Sequence, residues 1–453
     1  MEDLQYHSDD CICALATPWG KGAIAVIRTS GTGCLENLEN VFSGREALAK
    51  AEGNTVLYGH ITDRKNNITI DEVMLAVYRA PRSYTGQDAA EIMCHGSLPG
   101  VRGILDLLRR NGFRDAGPGE FTMRSFLNGK MDLTRAEAVN ELIGAKTAAS
   151  HRLAFNRLNG NICRRIDEIK SELVDVTARI ELLLDYPEDE VDFDDTVDVS
   201  AIDAAKMKLD ALISTYNTGK LYRDGVTVAL AGPTNAGKSS LFNLFVKEDR
   251  ALVSETHGTT RDYITELLTI RGIPVTLVDT AGLRESDDKV ESQGIARSKE
   301  LISGSDIVLF VWDSSVAFDG GAFDDIMSRA NAVIGVWNKC DMPGLGCPEG
   351  FVRVSAVEGT GFEDLEKRIL ECIHADTEAA EGGAVIDSDR QKILLEEASE
   401  GLGRLSEGIA AGCSLDAAAV DLQDSLRAMG EITGEVSTAD ILDKMFSSFC
   451  VGK

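Results

Sequence analysis

The residues best suited to chemistry follow a short run of β-branched and aliphatic residues, Val226–Leu230. The sequence Gly232-Pro-Thr-Asn-Ala-Gly-Lys-Ser239 comes next, and an apolar helical pattern follows it. Glycines in such a loop let backbone N–H groups surround phosphate oxygens. Lys238 could then reach the β- and γ-phosphates, and Ser239 could bind Mg²⁺. The strand–loop–helix order therefore predicts a nucleoside triphosphate site.

Three later motifs, each after an apolar strand pattern, complete a guanine-nucleotide site. In Asp279-Thr-Ala-Gly282, the carboxylate can hold Mg²⁺ through water and the glycine can turn its N–H toward the γ-phosphate. In Asn338-Lys-Cys-Asp341, the Asp341 carboxylate can accept hydrogen bonds from N1–H and the 2-amino group of guanine, a donor pair that adenine lacks. Ser355-Ala356 would close the base pocket. We therefore predict selection of GTP over ATP.

The stretch Ser254–Asp262 lies between the first two motifs and is typical of a switch loop that orders around Mg²⁺ and the γ-phosphate. Thr260 is the predicted second Mg²⁺ ligand beside Ser239. The predicted GTP-binding residues are Asn235, Ala236, Gly237, Lys238, Ser239, Ser240, Ser254, Glu255, Thr256, His257, Gly258, Thr259, Thr260, Asp279, Thr280, Ala281, Gly282, Asn338, Lys339, Asp341, Ser355 and Ala356.

Hydrolysis needs a group that orients the attacking water. Ras-like enzymes use a glutamine just after the Asp-Thr-Ala-Gly motif, and Leu283 stands at that position here. Glu291 lies in the same switch and could act on the water directly or through a bridging water. The alternative is a solvated glutamate on a helix surface.

Transition-state charge also needs a cation, which some related enzymes supply as an arginine. The amide oxygen of Asn235, together with Thr259 and loop carbonyls near Ser254 and Thr256, could build a K⁺ site at that position.

The composition limits the wider function. The chain has 453 residues, which suggests two to four domains, and a net charge of −28. Such acidity disfavours nucleic-acid binding without help, so an RNA substrate would be shared with a more basic protein. No apolar run is long enough for a membrane span, and the acidic start lacks a signal pattern, so we expect a cytoplasmic protein. Ten cysteines without a CxxC pair indicate reduced thiols rather than zinc or disulfides.

The pattern around these motifs predicts a multidomain α+β protein. Strands are expected at Ile12–Ala16, Ala23–Thr29, Val56–Thr62, Glu72–Arg79 and Ala89–Cys94, followed by a helix over Leu98–Arg110. Residues 158–183 carry one apolar stripe that predicts a single long helix, and another helix is expected over Ala201–Asn217. Between them the acidic stretch Asp185–Asp198 is typical of a solvated loop. Residues 225–373 alternate strand and helix, 377–385 look like a linker, and 387–449 have a helical pattern. The order predicts a helical domain that encloses a Ras-like α/β insertion.

Several further motifs carry a resemblance that covers essentially the whole chain. They are Ala14–Gly22, Ile24–Gly31, Tyr84–Asp88, Cys94–Gly96, Pro118–Leu133, Asp279–Glu285 and the terminal Phe446-Ser-Ser-Phe-Cys-Val-Gly-Lys453. Together they resemble the MnmE (TrmE) family of bacterial tRNA uridine-5-carboxymethylaminomethyl GTPases. The C-terminal signature is the most discriminating part. Departures are the absence of proline just before Asn235, Thr256 and His257 in the potassium loop, and Val451, and none removes a required functional group.

The resemblance implies three domains and a set of partners. Residues 1–127 would form a tetrahydrofolate-binding-like α+β domain that dimerises, 128–222 and 377–453 a discontinuous helical domain, and 223–376 the GTPase domain. The family works as a homodimer and as a heterotetramer with the FAD-dependent protein MnmG. With K⁺-dependent GTP hydrolysis, the complex modifies C5 of the tRNA wobble uridine, using 5-formyl- or methylene-tetrahydrofolate.

The resemblance also assigns roles to residues at matching positions. It implies K⁺ ligands at Asn235, Ser254, Thr256 and Thr259, a catalytic glutamate at Glu291 and a catalytic cysteine at Cys450. It implies a folate site at Arg28, Glu91, Lys130 and Lys453. The alternatives are surface charges in the folate set and a structural role for Cys450.

Two other functions fit a guanine-nucleotide site. A regulatory switch, such as a ribosome-assembly factor, would carry a basic RNA-binding module, which the sequence does not reveal. A structural scaffold that uses GTP only for folding would not need Mg²⁺ ligands and switch loops.

Overall fold

The protein forms two compact units, each containing one six-stranded sheet. The computed structural model describes residues 9–185, 197–248, 264–279, 300–373 and 383–453. The first unit contains the residues up to Asn140 with Leu158–Ile166 and Leu426–Lys453, and the second contains Glu141–Arg157 and Asp167–Ser425. The predicted mixed α+β architecture is confirmed. The bounds of the four segments given above stay predictions.

The sheet of the first unit is mainly antiparallel. Its strands are β1 (Cys11–Leu15), β2 (Ile24–Ser30), β3 (Thr55–Asp63), β4 (Ile68–Tyr78), β5 (Ala89–His95) and β6 (Phe113–Asp115), in the spatial order β3-β4-β5-β2-β1-β6. Helices α1 (Cys34–Glu39), α2 (Arg45–Lys50) and α3 (Leu98–Arg110) join its core, which includes fully buried Ile27, Leu75 and Ile92. The five predicted strands and α3 are confirmed, although β4 begins four residues earlier than Glu72. The short elements β6, α1 and α2 were not predicted.

A series of helices follows this sheet. They are α4 (Glu120–Leu127), α5 (Leu133–Gly144), α6 (Ala148–Leu158), α7 (Asn161–Glu172), α8 (Val174–Asp185), α9 (Val199–Ser214) and α10 (Tyr216–Asp224). The prediction of a single helix over 158–183 was wrong, because Leu158 ends α6 and the rest of the apolar stripe is divided between α7 and α8. The N–H of Leu173 bonds to the carbonyl of Lys170 at 3.1 Å, three residues back, and this tighter turn separates the two helices. The stripe itself is buried: Ile166, Leu173 and Ile180 are at most 1% exposed.

The helix expected over Ala201–Asn217 was also wrong at its end. Helix α9 stops at Ser214, and α10 begins at Tyr216. The hydroxyl of Thr215, between them, donates to the carbonyl of Leu212 at 2.7 Å and accepts from the N–H of Ile386 at 3.1 Å. The break therefore follows from a tertiary hydrogen bond that the periodicity of one segment does not reveal.

The sheet of the second unit is parallel except at one edge. Its strands are β7 (Val226–Ala231), β8 (Ile264–Ile270), β9 (Ile273–Asp279), β10 (Ile307–Asp313), β11 (Val333–Asn338) and β12 (Val352–Arg353), in the order β12-β11-β10-β7-β9-β8, with β8 antiparallel to β9. Its helices are α11 (Lys238–Glu248), α12 (Gly320–Met327) and α13 (Phe362–Cys372). In β10 every residue before Asp313 is buried, as in a strand covered on both faces. The carboxyl ends of β7, β9, β10 and β11 meet at one edge, where ligands bind in such sheets.

Helices return after this α/β region. They are α14 (Asp389–Ala410), α15 (Leu415–Thr433) and α16 (Ala439–Phe446). In the second unit α14 packs along α9, with a hydrogen bond of 2.5 Å from Ser399 to Asp210. In the first unit Phe446 and Phe449 pack with Met123 and Leu133. Most of the predicted linker 377–385 and of the acidic stretch 185–198 lies outside the described residues. Among the helices that the structure describes, none has the length and apolar character needed to cross a bilayer.

A buried ion network supports the start of α4. The side chains of Glu120 and Arg124 are each 1% exposed and are 2.8 Å apart, and Arg114 lies 2.7 Å from the same Glu120 oxygen. Asp10 bonds to Arg124 at 2.6 Å. Burial tends to raise the pKa of Glu120, but the hydrogen bonds from Arg114, from the Gly117 N–H and from Arg124 outweigh it and lower that pKa below the usual value. The carboxylate is therefore held in its charged form.

We expect Glu120→Gln to reduce the free energy of unfolding by about 3 kcal/mol at neutral pH, because it removes one charge from a buried pair. Urea unfolding, with hydrogen exchange of the α4 amides as a local readout, measures the change. Since the pKa of Glu120 is lowered in the folded state, its contribution is complete above the unfolded pKa of about 4.3 and is lost as the pH falls through the folded pKa. The difference between wild type and variant should therefore shrink in acid.

The matched control is Glu39→Gln, which removes an ion pair with the 60% exposed Arg45 and should cost less than about 1 kcal/mol. Equal losses in the two variants would contradict a special role for the buried network.

Candidate functional site

The phosphate loop, residues 232–239, leaves the buried strand β7 at the carboxyl edge of the second sheet. Gly232 has φ 134° and Gly237 has φ 95°, values that L side chains rarely adopt. A Cβ on Gly232 would lie 2.2 Å from the carbonyl oxygen of Val311, and a Cβ on Gly237 would lie 2.2 Å from Nδ2 of Asn338. Both positions therefore require glycine, because the loop is pressed against the neighbouring strands β10 and β11.

The polar side chains of this loop point to phosphate and metal chemistry. Nζ of Lys238 donates to the carbonyls of Gly232 at 2.9 Å and Pro233 at 2.7 Å, so the ammonium is held over the loop. Oγ of Ser239 donates to Oδ2 of the buried Asp279 at 3.3 Å. The pairing of Leu230 with Asp279 in adjacent strands sets this approach. Two hard oxygen donors thus converge beside the phosphate loop, which suits Mg²⁺.

Asn338 connects the phosphate loop to the base-side loops. Its side chain is buried, donates from Nδ2 to the carbonyl of Ala236 at 2.9 Å, and accepts at Oδ1 from the N–H of Ala356 at 3.1 Å. Because the amide uses both of its ends, a carboxylate or an aliphatic side chain could not replace it. One residue therefore joins the phosphate loop at Ala236 to the predicted base-side segment at Ala356.

The predicted guanine-selecting carboxylate is oriented by a buried serine. Oγ of Ser355 donates to Oδ1 of Asp341 at 2.6 Å and accepts from the N–H of Glu358 at 3.1 Å. Ser355 is 1% exposed, whereas Asp341 faces solvent. The rigid serine thus fixes the direction of a carboxylate that remains accessible.

Lys339 lies between Asn338 and Asp341 in the sequence, and it has an ion-pair partner that was not predicted. Its Nζ is 2.6 Å from Oδ2 of Asp313, the last residue of β10. Burial tends to raise the pKa of Asp313, but the hydrogen bonds from Lys339 and Ser315 outweigh it and lower the pKa. The sequence offered one signal for this ion pair, namely an aspartate, Asp313, directly after an apolar strand pattern.

Other predicted nucleotide residues have simpler positions. Asn235 and Ser240 are exposed, and Asn235 has φ 64°. Eleven predicted site residues fall in segments outside the described residues, and these are Ser254, Glu255, Thr256, His257, Gly258, Thr259, Thr260, Thr280, Ala281, Gly282 and Glu291.

The first unit contains a second candidate site, a cavity of about 160 Å³ lined in part by Arg28, Tyr84, Glu91 and Phe121. Arg28 and Glu91 stand directly opposite each other on β2 and β5, and their side chains are 2.8 Å apart. The guanidinium carbon of Arg28 lies 5.3 Å from the centroid of Tyr84 and 5.7 Å from that of Phe121. Charged groups beside aromatic faces can bind a flat heterocycle that has donor and acceptor edges.

The C-terminal segment reaches this cavity. Arg28 donates to the carbonyl of Gly452 at 3.2 Å, and the N–H of Phe121 donates to the carbonyl of Lys453 at 3.2 Å. Burial and the nearby charge of Arg28 lower the pKa of Lys453. Cys450 is exposed, and its carbonyl accepts from the N–H of Gly119 at 3.3 Å.

The structure therefore brings three of the four predicted folate residues together, namely Arg28, Glu91 and Lys453. Lys130 differs, because it is exposed and donates from Nζ to the carbonyl of Pro81 at 3.0 Å, with no contact to Arg28 or Glu91 among the described residues. Tyr84 and Phe121 had no predicted role, and neither their types nor their spacing indicates a shared cavity.

Comparisons with known proteins match nearly the whole chain. Residues 11–130 match the family model for the GTP-binding protein TrmE N-terminus, and residues 133–450 match the MnmE helical domain. The tRNA modification GTPase MnmE of Borrelia recurrentis is 42% identical over 99% of this chain and 99% of that protein. The chain belongs to the MnmE family. The MnmE proteins of Carboxydothermus hydrogenoformans and Lactococcus lactis subsp. cremoris are 40% and 39% identical, each over 98% of this chain and over 100% and 98% of their own lengths.

Among solved structures, the G domain of the T. maritima FeoB iron transporter aligns with 32% of this chain and 98% of that chain, at 29% identity and a TM-score of 0.25. As a member of the MnmE family the chain is a GTP-hydrolysing enzyme, so the prediction of a GTPase is confirmed. The matched helical span includes all the strands from β7 to β12.

Proposed function

We propose that the chain hydrolyses GTP in order to modify C5 of the wobble uridine of tRNA. The product would be a carboxymethylaminomethyl- or aminomethyl-uridine, and the one-carbon unit would come from 5-formyl- or methylene-tetrahydrofolate. The observation that carries the proposal is the joining of the C-terminal Gly452 to Arg28 beside the cavity in a chain of this family. A GTPase that served only as a regulatory switch would not need that second site.

The nucleotide site supports the first half of the proposal. Asp341, oriented by Ser355, would accept from the two donors of guanine, while backbone N–H groups of the phosphate loop would surround the phosphates. Lys238 would exchange its two loop carbonyls for phosphate oxygens, since both sets are acceptors at the same loop. A preformed set of donors stabilises charge that develops on the phosphates without the cost of reorienting water.

Two cations fit residues of this site. Ser239 and Asp279 supply oxygens 3.3 Å apart for Mg²⁺, and Thr260 would add another ligand. Asn235, at an exposed turn of the phosphate loop, would offer its amide oxygen to K⁺, with Ser254, Thr256 and Thr259. K⁺ would supply the positive charge that an arginine gives in related enzymes. Glu291 would orient the attacking water.

The lining of the cavity in the first unit suits the ring of a tetrahydrofolate derivative. Its aromatic walls, Tyr84 and Phe121, suit a flat ring, and Glu91 can accept from ring N–H groups. Arg28 and Lys453 can bind carboxylates of the glutamate tail. Lys130 would contact the ligand only by leaving the carbonyl of Pro81.

We propose that Cys450 takes part in the modification chemistry, because it lies two residues before Gly452, whose carbonyl accepts from Arg28. Its thiol is exposed, and its main chain is fixed by Gly119. The segment therefore presents a thiol at a defined place rather than on a free tail.

The proposed partners rest on the net charge of the chain and on its family. A net charge of −28 leaves the chain poorly suited to grip tRNA without help. We propose a homodimer that joins the FAD-dependent MnmG protein in a heterotetramer, with tRNA bound by the assembly. The work would take place in the cytoplasm.

Nucleotide preference tests the role of Asp341. In Asp341→Asn we expect GTP affinity to fall about 100-fold, because a charge-assisted pair of hydrogen bonds is lost. The variant should instead gain hydrolysis of xanthosine triphosphate, whose C2 carbonyl accepts from the new amide. Competition binding and turnover with both nucleotides measure the switch. The control Asp324→Asn changes an exposed residue of α12 and should leave the preference for GTP as in wild type. An unchanged preference in Asp341→Asn would refute the role of Asp341 in guanine selection.

Monovalent-cation dependence tests the role of Asn235. GTP turnover with K⁺ as the sole monovalent cation should exceed that with Na⁺ by about tenfold or more, because the proposed ligands would bind the larger ion better and only a bound ion neutralises transition-state charge. Asn235→Ala should remove this difference, whereas Asn331→Ala, at the opposite end of the sheet, should keep it. Equal kcat in K⁺ and Na⁺ for the wild type would rule out the potassium site.

Modified nucleosides test the whole proposal. In a strain that lacks the gene, mass spectrometry of tRNA should detect the loss of C5 modification at wobble uridines, and the wild-type gene should restore it. Arg28→Ala should fail to restore it while its purified protein still hydrolyses GTP, because the cavity lies outside the GTPase region. Arg45→Ala, which removes an exposed ion pair, should restore it. Unchanged wobble uridines in the deletion strain would reject the proposal.

A further inference from the structure

The end of strand β10 lies directly beside the motif that selects guanine. Residues pair in parallel register from Val308 with Val333 to Asp313 with Asn338. The last pair sets an acidic side chain next to the first residue of the Asn338–Asp341 motif. A carboxylate at this edge of the sheet is therefore close enough to act on that motif.

The Asp313 carboxylate is engaged through both of its oxygens. Oδ2 accepts from Nζ of Lys339 at 2.6 Å, while Oδ1 accepts from the N–H of Ser315 at 2.9 Å and from its hydroxyl at 2.7 Å. The side chain of Asp313 is 17% exposed and that of Lys339 is 31% exposed. A half-buried ion pair with a fixed acceptor holds a lysine in one rotamer far better than a surface pair does.

The adjacent residue braces the main chain of the same lysine. Lys339 has φ 63°, a left-handed value that non-glycine residues adopt only when the surroundings enforce it. Oγ of Ser314 donates to the carbonyl of Lys339 at 3.0 Å, and its N–H donates to the carbonyl of Asn338 at 2.9 Å. Asp313 and Ser314 therefore hold the side chain and the backbone of Lys339 together.

The stem of Lys339 runs past the phosphate loop. A Cβ built on Gly237 would lie 3.9 Å from Cε of Lys339, so the methylenes of this lysine lie beside the phosphate loop. In the sequence, Lys339 stands between the two motif residues Asn338 and Asp341. Methylenes held there form an apolar wall for a purine ring, provided that the ammonium at their end is paired and fixed. Without Asp313, the side chain of Lys339 is free to adopt several rotamers. The entropy cost of ordering it again then reduces the affinity for nucleotide.

We infer that Asp313 is a positioning residue for the guanine site, which holds the Lys339 stem as a wall for the base and so lengthens the residence of GTP and GDP. The inference rests on the proposed binding of guanine nucleotide at this edge of the sheet. Asp313 acts through Lys339 and reaches no phosphate. Its loss should therefore weaken binding and leave the chemical step unchanged.

The test uses the full chain and fluorescently labelled GDP and GTP, with dissociation followed by stopped flow. Asp313→Asn keeps the shape of the side chain and removes its charge, and we expect GDP to dissociate about 5- to 30-fold faster. KM for GTP should rise by a similar factor, while kcat at saturating GTP stays within twofold of wild type. In a Lys339→Met background, the added Asp313→Asn should change dissociation less than twofold, since the partner is already gone.

The matched control is Asp325→Asn, which removes the ion pair between Asp325 on α12 and Arg329 just after the helix and should leave dissociation unchanged. Wild-type dissociation rates in Asp313→Asn would overturn the inference, as would a full additional effect in the Lys339→Met background. A fall in kcat without a change in KM would overturn it too. Failure of the wild type to bind labelled GDP would instead remove the guanine site, and this inference with it.

Discussion

The nucleotide site depends on one buried amide. Asn338 bonds to the phosphate loop at Ala236 and to the base-side loop at Ala356, so a single side chain fixes the distance between the two. Its neighbours depend on that contact, because Gly237 is pressed against the same amide and Asp341 follows three residues later. A buried amide with both ends bonded is costly to lose, and it orders the loops before any nucleotide arrives.

The parallel sheet makes that contact attainable. Strands β7, β9, β10 and β11 all end at one edge, and each delivers a polar residue or a glycine there. The strands themselves are buried on both faces, so their ends hardly move relative to one another. Asp279 and Asp313, the last residues of β9 and β10, are thereby held close to Ser239 and Lys339, which follow β7 and β11 in the chain. The hairpin of β8 and β9 is tied down at its turn, where Thr147 donates to the carbonyl of Gly272 at 2.7 Å.

The second site depends on a contact between the two ends of the chain. Arg28 and Gly452 are separated by 424 positions, and closing so large a loop costs conformational entropy. Packing of Phe446 and Phe449 against Met123 and Leu133 offsets that cost and anchors the segment. The exposed Cys450 then has its carbonyl bonded to the N–H of Gly119, two residues before the Gly452 carbonyl that accepts from Arg28.

The sequence by itself determined the nucleotide chemistry, the GTPase family and the alternation of elements. Motifs such as 232–239 and 338–341 are contiguous, so the local backbone that they need is encoded next to the groups that they present. The strands β1 to β5 and helix α3 could likewise be predicted, because each carries its own periodicity and its own turn residues.

The 158–183 stripe is divided by local turns that its apolar periodicity does not encode, such as the bond from the N–H of Leu173 to the carbonyl of Lys170. Tertiary structure decided that α9 ends at Ser214, since that end depends on the hydrogen bond between Thr215 and Ile386. It also decided that Asp313 pairs with Lys339, that Tyr84 and Phe121 flank Arg28, and that Lys130 bonds to Pro81. These contacts join residues far apart in the chain, and only the packing of sheets and helices sets which of many similar side chains meet.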